Sequence, residues 1–152
     1  MTRFVSLLVA LVAASVLAAE PFPAPNALFE KVKANPSNWK EKLVAFEGMV
    51  IQIETGPQNK SYFKIKMPQP VFEELWVASL LNLDSTTIEK NSVVRVLGYY
   101  TSVQSDDPMA SVNKDGYHLL GFCMLNISTK KAHYFPGAIK QCQSWQEGVT
   151  QN

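Results

Sequence analysis

The chain has 152 residues, 47% of them hydrophobic and 18% charged. That suits one ordinary domain with a real core and excludes a globally disordered chain. Lysines and arginines number 14 against 13 acidic side chains, so no long-range field draws the protein to nucleic acid or an anionic membrane.

Met1–Ala18 reads as a secretory signal. Arg3 supplies the positive start, Phe4–Leu17 the apolar run, and Val16 and Ala18 the small residues before a cleavage point after Ala18. Ala19 is a close competitor. The apolar run is short for a membrane span, and Glu20-Pro21 comes directly after it. No later stretch is long and apolar enough to span a bilayer. The expectation is a soluble, exported protein, periplasmic or secreted, whose charges balance once Arg3 is removed. Export decides how Cys123 and Cys142 are read, because two cysteines in an oxidising compartment tend to pair. Such a bridge is worth about 3 kcal/mol. Two buried free thiols are the alternative.

Pro21–Pro25 is a proline-rich leader. Asn26 is placed to cap a helix over Ala27–Ala34, with Leu28, Phe29 and Val32 on one face. Asn35-Pro36 ends it, Ser37 or Asn38 opens a short turn, and Trp39 packs against the end of the β-rich region. Leu43–Glu54 is a long β-rich stretch. Val44 and Phe46 share a parity before Gly48, and Met49, Ile51 and Ile53 share the opposite parity after it. Side chains alternate along a strand, so the change predicts a bulge or bend at Gly48. A long bent strand pairs with different partners along its two halves, which is how a small barrel closes.

Thr55–Lys60 is a turn. Ser61–Met67 alternates, with Phe63, Ile65 and Met67 on one face and Tyr62, Lys64 and Lys66 on the other. Pro68 and Pro70 stop it. Leu75–Ser79 is a third strand, and Asn82–Lys90 holds a turn capped by Asp84 or Ser85. Ser92–Thr101 is a fourth strand with Gly98 inside it, Ser102–Gly116 a polar loop, and Tyr117–Ser128 a fifth strand with Gly121 inside it. Thr129–Phe135 is basic and aromatic and receives no element. Ala138–Glu147 reads as an amphipathic helix carrying Ile139, Cys142 and Trp145.

This order, with Leu43–Glu54 bent at Gly48 and a short segment between the third and fourth strands, resembles an OB-fold over about Trp39–Ser128. In Ile88–Tyr100 (IEKNSVVRVLGYY), Asn91 or Ser92 stands where that fold more often has a glycine. The resemblance implies a mainly β, five-stranded barrel at 39–128, after a leader and helix at 19–38 and before a segment at 129–152 packed on it. It also implies a ligand, an oligonucleotide or oligosaccharide, on the face of the second and third strands. Tyr62, Lys64 and Lys66 lie there, an aromatic for stacking and two charges for phosphates, and Tyr99 or Tyr100 extends the surface while the other points inward.

No active-site motif is found. His118 and His133 lack partners at metal-ligand spacing, so no metal site is expected. His133-Tyr134 does not match the histidine and tyrosine spacing of the periplasmic haem chaperones, another OB-fold family, and no cofactor is expected. Asn59-Lys60-Ser61 and Asn126-Ile127-Ser128 match the glycosylation pattern, the second within a strand. The reading is an exported, non-enzymatic binding or interaction module of the cell envelope, its partner a protein or an oligomeric ligand. Single-stranded nucleic-acid binding is the first alternative, and a small envelope enzyme the second.

Overall fold

The computed structural model describes residues 24–55, 61–79, 87–104, 110, 113 and 116–150. The signal segment, Pro21 to Pro23, most of the turn at 55–60 with Asn59, the proposed cap at Asp84 or Ser85, and most of the loop at 102–116 lie outside the described residues.

Six strands form one sheet: β1 (Leu43–Thr55), β2 (Ser61–Lys66), β3 (Glu74–Ser79), β4 (Val93–Ser102), β5 (Tyr117–Asn126) and β6 (Lys131–Tyr134). Helix α1 (Phe29–Ala34) precedes them, and α2 (Ile139–Thr150) ends the described chain. The spatial order is β3-β2-β1-β4-β5-β6, and a parallel pairing of β3 with β5 closes the first five strands into a barrel. Five strands closed in the order 1-2-3-5-4 make an OB-like barrel.

β1 is shared as its length predicts. Leu43–Met49 pair with β4, Met49–Thr55 pair with β2, and Met49 faces a partner on both sides. The bulge is displaced from the expected place. Val44, Phe46 and Val50 are all buried, so the inward parity runs straight through Gly48. The register slips only between Val50 and Gln52, after which Ile53 pairs with interior Phe63. Gly48 has a different role. A Cβ there would stand 2.6 Å from the Lys66 carbonyl oxygen, so only glycine lets β2 come this close. Met49 therefore faces outward, 41% exposed.

The interior holds Val44, Phe46, Val50, Phe63, Ile65, Met67, Val77, Val96 and Leu119, with Phe29 and Val32 of α1 plugging one end and Trp39 packed beside them. Phe29 meets Phe46 edge-on at 5.5 Å. Asn26 does not cap α1 with its side chain. It takes the left-handed conformation (φ 64°), and its amide donates to Glu47 O and accepts from Glu47 N, both at 2.9 Å. The leader is thereby clamped to β1, and α1 begins at Phe29 without a side-chain cap.

Asn91 takes a φ of 72°. Asparagine tolerates the left-handed region better than most residues, which explains its place where glycine is usual. β6 has no counterpart among the elements expected from sequence. It has four residues, and its pairing with Cys123–Asn126 supplies what its sequence lacks. Cys123 and Cys142 form the expected disulfide. It lies in a second cluster with Ala45, Leu97, Phe122, Leu125 and Trp145, where α2 covers the outer face of β4 and β5. Asn126 is buried and donates to Thr87 O at 3.1 Å, so its glycosylation pattern is occupied by structure.

Candidate ligand-binding surface

The outer faces of β2 and β3 carry the side chains expected to meet a ligand. Strand alternation puts Tyr62, Lys64 and Lys66 on one face as expected, but their surroundings differ. Tyr62 is 5% exposed and Trp76 8%; they form a third cluster with Ala78, covered by Val103 and Leu120. The Tyr62 ring is thus a wall of the barrel, with no open face for stacking. Lys64 lies over Trp76, its Nζ 4.8 Å from the ring centroid and 3.6 Å from Glu74.

Lys66 belongs to a groove that sequence reasoning missed. The groove holds about 330 Å³ and is lined by Glu47, Gly48, Met49, Lys66, Met67, Pro68, Phe72 and Val93. It runs across the outer face where β1 passes from β4 to β2, along the register row Val93–Met49–Lys66. Phe72 forms one side. Its backbone is left-handed (φ 51°), rare for a bulky residue, and it is 60% exposed. Two backbone bonds brace its loop: Phe72 N donates to Pro68 O at 3.1 Å, and Met67 N to Glu73 O at 2.9 Å. Lys66 Nζ lies 4.2 Å above the Phe72 ring. The one signal in the sequence is an aromatic between prolines and acids, outside any alternating run, and it looks like the approach to a strand.

Among the described residues, three carboxylates at or near this groove have cation partners. Glu47 meets Arg95 at 2.5 Å, Glu73 meets Lys33 at 2.6 Å, and Glu74 meets Lys64 at 3.6 Å. Among the described residues Lys66 meets no carboxylate within ion-pair distance, only the Phe72 ring. The hydrogen bond to Glu73 raises the Lys33 pKa above 10.5.

Tyr99 points outward and Tyr100 inward, the division that strand alternation requires. Tyr99 sits apart from Lys64 and Lys66. Its ring packs on Phe122 at 5.6 Å and lines a second groove, about 250 Å³, with Leu120, Phe135, Gly137 and Gln141. Four proposed site residues are thus divided among a buried wall, a cation over tryptophan, and two separate grooves. Among the described residues no group of three or more histidine, cysteine or acidic side chains is arranged to hold a metal. No helix among them is long and apolar enough to cross a membrane.

Strand order and closure place the chain in the OB class. Neither a protein-family model nor a curated protein sequence matches it. Among solved structures it is similar to a replication protein A heterotrimer bound to ssDNA, at 13% identity and a TM-score of 0.38, over 70% of this chain and 66% of that one. It is also similar to the Stn1-Ten1 complex of S. pombe, at 13% identity and a TM-score of 0.40, over 72% of this chain and 74% of that one. The chain thus spans just under two thirds of the replication protein A chain.

Proposed function

We propose that the protein is an exported, non-enzymatic interaction module that holds a segment of a partner protein against the β1–β2 side of its barrel. The observation that carries this reading is Phe72: a large apolar side chain held out to solvent on a braced loop, beside exposed Met49. Exposed apolar patches rimmed by charge mark interaction sites. Export is supported by the sequence of Met1–Ala18 and fits the disulfide, which belongs to oxidising compartments.

The test is photo-crosslinking in the cells that make the protein. A benzophenone amino acid replacing Phe72 is expected to give a protein adduct, and the same group replacing Lys130, in the turn between β5 and β6, none. Failure to crosslink to any protein at position 72 sinks the reading.

A second reading, binding of single-stranded nucleic acid, is favoured by Lys64 and Lys66 lying over aromatic rings on β2 and its neighbours. It predicts affinity for oligonucleotides that falls with salt and with Lys64→Ala or Lys66→Ala. No mobility shift at low salt removes it. Burial of Tyr62 and Trp76 weighs against it, since neither ring offers a face to a base.

A further inference from the structure

The groove beside Phe72 has a chemistry that narrows its occupant. Its walls are apolar: Met49, Met67, Pro68, Phe72 and Val93. Its volume of about 330 Å³ lies at the lower end of the range for ligand sites, room for one or two bulky side chains. One carboxylate, Glu47, lines it; Glu73 follows Phe72 in the chain and Glu74 is opposite Lys66 in the β2–β3 register, and the three are ion-paired with Arg95, Lys33 and Lys64. Lys66 is the fourth cation. It lies in the groove lining, over Phe72 and next to Met49 in the β1–β2 register, and no described carboxylate answers it. The groove therefore offers apolar area and one positive charge beside it, while Glu74, opposite Lys66 in the β2–β3 register, lies 3.6 Å from Lys64.

We propose that this groove takes a peptide segment in which a bulky apolar side chain stands next to a carboxylate. The apolar side chain sits between Met49 and Phe72, and the carboxylate meets Lys66. A polyphosphate chain suits the groove less well, because one cation and an apolar wall give it no row of charges to follow. The proposal rests on the interaction-module reading and names the chemistry of its partner.

The test is titration of the protein with short peptides, followed by its amide NMR spectrum. The probe is acetyl-Gly-Phe-Asp-Gly-amide. Its controls carry Asn for Asp, or Ala for Phe. The Phe-Asp peptide is expected to move the amide signals of Gly48, Met49, Lys66, Phe72 and Val93. The Phe-Asn peptide should bind about threefold more weakly, the worth of one partly exposed ion pair. The Ala-Asp peptide should lose about tenfold or more with the buried ring. Lys66→Gln should bind both phenylalanine peptides equally, and Phe72→Ala should bind neither; spectra with native dispersion show that each variant is folded.

Three results overturn the proposal: no movement of groove signals by the Phe-Asp peptide at millimolar concentration, equal affinity for the Asp and Asn peptides, or a preference for Asp that survives in Lys66→Gln. Where the first of these results comes with groove signals moved by oligo-deoxythymidine, it decides for nucleic acid. A protein crosslinked at position 72 together with peptide failure leaves the module reading standing and removes only this chemistry.

Discussion

Two residues decide how the outer surface is drawn, and each can be tested singly. Gly48 permits the approach of β1 to β2, since a Cβ there would meet the Lys66 carbonyl at 2.6 Å. A backbone oxygen cannot rotate away as a side chain can. Overpacking of a tight site costs about 1–3 kcal/mol and more where backbone must move. Gly48→Val is therefore expected to abolish the cooperative thermal transition; a transition within a few degrees of the parent would sink this account of Gly48. Asn26 binds Glu47 through both ends of its amide. Asn26→Ala removes two bonds and leaves the β1 groups to find water, so a loss of about 1–2 kcal/mol in denaturant unfolding is expected. No measurable change would mean that water replaces the clamp at no cost. Both roles are hidden in sequence. Gly48 looks like the site of a parity change and Asn26 like a helix cap, because local pattern shows a special residue without showing what it approaches.

At the scale of elements, the C-terminal helix depends on one bond and one cluster. α2 is joined to β5 by Cys123–Cys142 and buries Trp145 against Leu97 and Leu125. A hydrogen bond from Tyr134 to Gln146 ties it also to β6. With the bridge closing a 19-residue separation, Cys142→Ala is expected to cost about 3 kcal/mol in urea unfolding. Amide exchange should rise first in α2 and β6, ahead of the barrel. Uniform acceleration across all strands would show that α2 is part of the barrel's own cooperative unit. The pairing of Cys123 with Cys142 is legible in sequence only as an expectation favoured over two free thiols, because Met1–Ala18 reads as a secretory signal. β6 is not, because four residues carry too little periodic signal and acquire their conformation from β5.

The whole molecule is held by closure, and closure sets its response to alkali. Tyr100 lies inside the barrel between Phe46 and Tyr117, edge-on to the first and stacked on the second at 5.3 Å. Burial raises its pKa above 10.0, and the phenol of Tyr117 adds to the rise. The fold thus favours the neutral phenol. Its contribution to stability is whole below pH 10.0 and is lost as pH climbs through the raised folded value. Lys33, also raised, loses its contribution above pH 10.5, but it is exposed and contributes little. The expected outcome is a urea midpoint that falls above about pH 10 in the parent and falls less in Tyr100→Phe. Identical curves would show that Tyr100 is not the group that fails.

Sequence by itself determined the five barrel strands, the helix with Cys142 and Trp145, and the OB class, because these come from alternation and spacing; it favoured the disulfide over two free thiols, and the structure decided that choice. Only the tertiary structure decided which outward residues remain available. Tyr62 alternates outward yet is covered by Val103 and Leu120, from a loop and a strand distant in sequence. Phe72 sits among prolines and acids yet stands open beside Met49. A residue's face is fixed by its neighbours along the chain, but its exposure is fixed by whatever the closed barrel brings against that face. That is why Lys66 is legible in sequence as an outward cation, while its place as the groove cation that no described carboxylate answers appears only once Glu47, Glu73 and Glu74 are seen with their partners.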